Sequence, residues 1–89
     1  ILSGGQKYPA ALTALLSADT AESLYFAGMI EGARQRWSDA VTHFSAAIAR
    51  DPWCRKCYYY MGQGLGEMER YDDARQALKT ARLIEQRGR

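Results

Sequence analysis

Two cysteines and a single histidine are the only thiol and imidazole groups in the 89 residues. That is too few for a structural zinc site, which takes four ligands. No apolar run approaches the roughly 18–20 residues of a membrane-spanning helix. Eight glycines and two prolines are too few for a disordered or collagen-like chain. Charge of one sign is also missing: Lys and Arg number 12 and Asp and Glu 10, a net charge of +2. So slight an excess does not argue for nucleic acid. No paired carboxylates, nucleophile with its base, or phosphate-binding loop is present, so no catalytic residue, cofactor or metal is expected. The chain begins at Ile1 without an initiator Met or a signal peptide. It is read as one domain cut from a longer protein.

What the sequence does have is a repeat. Shifting it by 34 residues lays 21–54 on 55–88 and pairs Tyr25/Tyr59, Gly28/Gly62, Gly32/Gly66, Arg36/Arg70, Asp39/Asp73, Ala40/Ala74 and Ala47/Ala81 as identities. Leu24/Tyr58, Phe26/Tyr60, Trp37/Tyr71 and Phe44/Leu78 keep their bulk. Each unit reads as two helices. In the first, Asp19 and Glu22 have capping-box spacing, and Leu24, Ala27, Gly28 and Glu31 recur at helical intervals. Ser38 or Asp39 can cap a second helix whose stripe is Ala40, Phe44, Ala47 and Ile48, stopped at Asp51-Pro52. In the second unit a helix from Arg55 to Met68 carries Tyr58, Met61, Gly62 and Leu65; Asp72 and Asp73 open the last helix, with Ala74, Ala77, Leu78, Ala81 and Ile84 as its stripe. Nothing alternates with the period of a strand. Gly28 and Gly62, with Ala40 and Ala74, are small enough for two helices to cross closely, which offsets the roughly 1 kcal/mol cost of a helical glycine.

The period and pattern resemble the tetratricopeptide repeat family. The residues that carry the likeness are Leu24, Ala27-Gly28, Trp37, Ala40, Phe44, Ala47 and Pro52 in one unit, and Tyr58, Met61-Gly62, Tyr71, Ala74, Leu78 and Ala81 in the other. Departures are Leu24 where Trp is common, Glu31 where an aromatic is usual, and Gln86 where Pro is expected. The resemblance implies an all-α fold: a short right-handed α-solenoid of antiparallel helix pairs, about five helices in all. Residues 1–20 form a lead-in and N-terminal helix, a possible half repeat; 21–54 and 55–89 form the two repeats. Within the first segment, residues 1–7 read as a flexible lead-in and 9–17 as a helix started by Pro9.

The resemblance further implies that the first helices of the two units line a concave face that holds a peptide or a partner helix. Pairs on that face are Glu22/Lys56, Tyr25/Tyr59 and Met29/Gln63. These six are the expected partner-binding residues; Tyr and Met supply apolar area, and Glu22 and Lys56 supply polar selectivity at the edge. Of the three consecutive tyrosines, Tyr58 should pack within the repeat, Tyr59 face the groove and Tyr60 sit between. The family's best-known variant grips a terminal carboxylate with Lys and Asn; this chain has no Asn, so that function does not carry over. The expected partner is a protein or peptide, with no nucleic acid and no membrane span. The module could also self-associate or belong to a longer array. A secretion chaperone of the same repeat type is a further alternative.

Cys54-Arg55-Lys56-Cys57 leaves several readings open: two structural cysteines in the turn between repeats, a disulfide, a redox pair at a helix N-terminus, or part of a shared metal site. A redox-sensitive regulatory module is therefore the alternative function. Trp53 is expected to pack against a neighbouring helix near Trp37. Arg75, Lys79 and Arg82 form a stripe on the last helix that reads as a solvated outer face, or as a contact for an acidic partner. The compartment stays open, with the cytoplasm slightly favoured.

Overall fold

The computed structural model describes residues 4–87, with side chains from Ala10 onward. Five helices follow one another: α1 (Gly4–Ala18), α2 (Ala21–Ala33), α3 (Trp37–Arg50), α4 (Arg55–Glu67) and α5 (Tyr71–Arg87). Among the described residues there is no strand. Each helix packs on the next in chain order, and α2 touches α4 only lightly. The result is an elongated all-α stack, 47 × 28 × 18 Å, in the manner of a short solenoid. No helix is long and apolar enough to cross a membrane among the described residues.

The repeat is built into the backbone. Helices α2 and α4 begin at Ala21 and Arg55, and α3 and α5 at Trp37 and Tyr71. The turns match bond for bond. Gln35 and Glu69 adopt φ values of 61° and 62°. Arg36 N–H donates to the Glu31 carbonyl and Arg70 N–H to the Leu65 carbonyl, both at 2.9 Å. Gln35 N–H reaches Gly32, and Glu69 N–H reaches Gly66. This is the Schellman closure of a helix, with a left-handed residue after the cap. It runs directly into the next helix, so Arg36 becomes the N-cap of α3 with no side-chain cap bond. Ser38 and Asp39, expected as caps, lie instead in the first turn, because a turn this short leaves no separate cap position.

Close crossings depend on small residues, as the pattern implied. A Cβ placed on Gly28 would stand 2.7 Å from the Phe44 ring, and one on Gly62 would stand 2.8 Å from Leu78 Cγ. Ala40, Ala47, Ala74, Ala77 and Ala81 are buried. One core cluster joins Leu24, Ala47 and Cys57 across α2, α3 and α4; a second joins Leu65, Ala74 and Ala77 between α4 and α5.

Three further expectations need correction. The cap of α2 is Thr20, not Asp19: Thr20 Oγ1 accepts from Ser23 N–H at 3.0 Å, and Ser23 Oγ accepts from Thr20 N–H at 2.9 Å. Asp19 instead takes φ 54° and pairs with Arg50 from the end of α3, Nη2 to Oδ1 2.6 Å, which staples the α1–α2 turn to the first hairpin. The lead-in is shorter than expected, since α1 already begins at Gly4; residues 1–3 lie outside the described residues. Trp53 is 64% exposed rather than packed, because Asp51 Oδ1 accepts its N–H and turns the tight α3–α4 connection outward.

Candidate functional site

Because α2 and α4 both lie against α3 and scarcely touch each other, a groove runs between them. Two hollows lie along it. The first, about 250 Å³, is lined by Glu22, Tyr25 and Phe26 of α2, by Asp51 at the end of α3, and by Cys54 and Lys56 at the start of α4. The second, about 230 Å³, is lined by Met29 of α2, Trp37 and Phe44 of α3, and Tyr60 and Gln63 of α4, with small residues between. Tyr25 lines the first and Tyr60 the second, and their ring centroids are 6.0 Å apart. Both rings rest on Phe44, at 6.0 and 6.3 Å. Phe26 stands edge-on to Tyr25 at 5.2 Å. The groove thus has an aromatic floor fixed by the buried Phe44.

Five of the six expected binding residues line these hollows: Glu22, Tyr25, Met29, Lys56 and Gln63. Tyr59 stands at the rim, 41% exposed. Its hydroxyl accepts from Gln63 Nε2 at 3.2 Å, and its ring meets Tyr60 edge-on at 5.1 Å. Tyr60, placed between the two faces by sequence, is the ring that meets Tyr25. Lys56, Tyr60 and Gln63 have i, i+4, i+7 spacing and share a stripe, with Tyr59 one step of about 100° to the side. The Phe26/Tyr60 pairing in the repeat was the signal that this position is bulky in both units.

The Tyr25 phenol is pushed above its ordinary 10.0, first by burial and second by the neighbouring Tyr60. At neutral pH it is therefore a neutral hydroxyl, able to donate or accept. Glu22 and Lys56 face one hollow from opposite helices, and among the described residues no ion pair joins them. Each can meet a partner's charge.

Cys54 and Cys57 are joined by a disulfide, with Cα atoms 5.3 Å apart. Cys54 is the N-cap of α4, and its Sγ also accepts the Cys57 N–H at 3.2 Å. Cys57 is fully buried against Leu24 and Ala47, while Cys54 lines the first hollow. The bridge thus ties the wall of the groove to the core. Away from the groove, Glu31 Oε1 and His43 Nδ1 are buried without a hydrogen-bond partner; the Arg34 guanidinium lies 3.5 Å from the former.

Neither a scan against protein-family models nor a search of curated proteins returns a match for this chain.

Proposed function

We propose that the chain is a protein–protein interaction module, two tetratricopeptide-like repeats preceded by one further helix, that holds a peptide or partner helix in the α2–α4 groove. It is a binding module rather than an enzyme. The observation that carries this reading is the aromatic floor: Tyr25 and Tyr60 rest on a buried Phe44 and separate two hollows whose walls bear Glu22 and Lys56. Rings already packed lose little freedom on binding, so contact area there is gained at low entropic cost.

The test compares wild-type and Tyr59→Ala chains in affinity capture, followed by titration of the partner recovered. Tyr59 is exposed at the rim, so its removal leaves the core intact. Affinity should fall by about 1–3 kcal/mol, as for an aromatic hot spot, with helicity unchanged. Equal affinity for wild type, for Tyr59→Ala and for Met29→Ala/Gln63→Ala within the second hollow would refute the groove as the binding site.

A second reading is favoured by one observation, the Cys54–Cys57 bridge in the wall of the first hollow. A dithiol reductant would convert the bridge to two thiols while itself becoming a disulfide. Binding in this groove would then depend on redox state. Affinities that agree with and without dithiothreitol would remove this reading.

A further inference from the structure

The contact between α3 and α4 is a template for what α5 can receive. On α3, Val41 packs with Leu65 and approaches Gly64, the Ser45 hydroxyl donates to Met61 Sδ at 3.4 Å, and the Phe44 ring stacks on Tyr60. Ile48 packs on the cluster that contains Cys57. A helix further along the chain, α5 carries Tyr71, Arg75, Leu78, Lys79 and Arg82 where α3 has Trp37, Val41, Phe44, Ser45 and Ile48. Three neutral positions have become cations. The two bulky ones remain and are uncovered: Phe44 is 3% exposed, whereas Leu78 is 39% and Tyr71 59% exposed. Arg75, Leu78, Lys79 and Arg82, with Gln76, line a hollow of about 450 Å³. Arg75 pairs with Asp72, but among the described residues Lys79 and Arg82 have no acidic partner.

An apolar helix like α4 would suit this surface badly, because it would bury cations without pairing them. Acidic groups beside an apolar stripe would suit it well: the stripe would cover Tyr71 and Leu78 as Tyr60 covers Phe44, and the carboxylates would meet Lys79 and Arg82. We propose that the outer face of α5 docks an acidic amphipathic helix of a partner protein. This surface shares no residue with the α2–α4 groove and does not depend on that groove's having a ligand.

The experiment titrates the whole chain with a fluorescein-labelled helical peptide bearing leucines at i, i+4 and i+7 flanked by glutamates, read by anisotropy at low and high salt. Binding should weaken as salt rises, and should weaken at least ten-fold for Lys79→Glu/Arg82→Glu and for Tyr71→Ser. A scrambled peptide of the same composition should also bind at least ten-fold less tightly. Tyr59→Ala, at the rim of the other groove, should change nothing. Circular dichroism confirms that each variant keeps its helicity. The proposal fails if the peptide does not bind, if the scrambled peptide binds equally, or if the charge reversal has no effect. It fails equally if phosphatidylserine vesicles or single-stranded DNA bind the same face more tightly than the peptide, since the surface would then serve a lipid or a nucleic acid.

Discussion

Gly28→Ala should destabilise this protein although Gly66→Ala stabilises it, and the contrast isolates the physics of the helix crossing. In a helix interior, alanine is favoured over glycine by about 1 kcal/mol. Gly66 has nothing within 4 Å of an added Cβ and a backbone any L-residue adopts, so it should gain part of that amount, less than the full value because it lies in the last turn of α4. At Gly28 the new methyl would stand 2.7, 2.8 and 2.9 Å from Cε1, Cδ1 and Cζ of Phe44. That ring cannot swing away, because it is buried and in contact with Tyr25 and Tyr60. Overpacking of a fixed core costs about 1–3 kcal/mol, so the net effect is a loss of up to about 2 kcal/mol. Gly62→Ala lies between: Leu78 is half free to yield, but the Ala74 carbonyl oxygen at 3.3 Å is backbone and yields little. Urea unfolding followed at 222 nm should rank Gly66→Ala above wild type and Gly28→Ala below it. Each kcal/mol corresponds to roughly 4–8 °C in Tm for a domain of this size. A Gly28→Ala chain as stable as Gly66→Ala would refute the close-crossing account of the repeat.

Reducing the Cys54–Cys57 bridge should lower the unfolding free energy by about 2 kcal/mol in the loop-entropy picture of a very short ring; an unchanged urea midpoint in dithiothreitol would show that it adds no stability. Replacing the left-handed Gln35 or Glu69 by Gly should raise stability by about 0.5–1 kcal/mol, since a side chain in that region costs more than the freedom glycine adds to the unfolded chain; a loss in thermal melts would argue that these side chains hold the turn. The raised Tyr25 pKa means that the folded chain keeps a proton that the unfolded chain releases in alkali, so stability is fully present below about pH 10 and falls as pH climbs through the higher folded value. Tyr25→Phe should lose less between about pH 9 and 11 in urea titrations, and an equal loss in both chains would place the sensitivity elsewhere.

The parts of this structure legible in sequence are those in which one residue type is forced at a fixed interval. Gly28 and Gly62, and Ala40 and Ala74, are small because a helix crosses there, so the period exposed the hairpins and the stack. The parts that were not legible turn on choices between neighbours or on distant partners. Asp19 and Thr20 are both acceptable caps, and what separates them is Arg50, whose Nε donates to the Asp19 carbonyl at 3.1 Å while its Nη2 binds the carboxylate. Tyr59 and Tyr60 are adjacent tyrosines, and only the position of Phe44 decides which one enters the groove. A repeat in sequence fixes the turns but not the burial of the residues between them. Gln35 and Glu69 hold the two turns alike, so the helices of the two hairpins are set alike by geometry. Phe44 and Leu78 occupy matching positions, yet one is sealed by Tyr60 and the other is open, because burial belongs to the neighbour and not to the repeat. Arg75, Lys79 and Arg82 then make the side of α5 that bears Leu78 chemically unlike the matching side of α3, while the backbone stays the same.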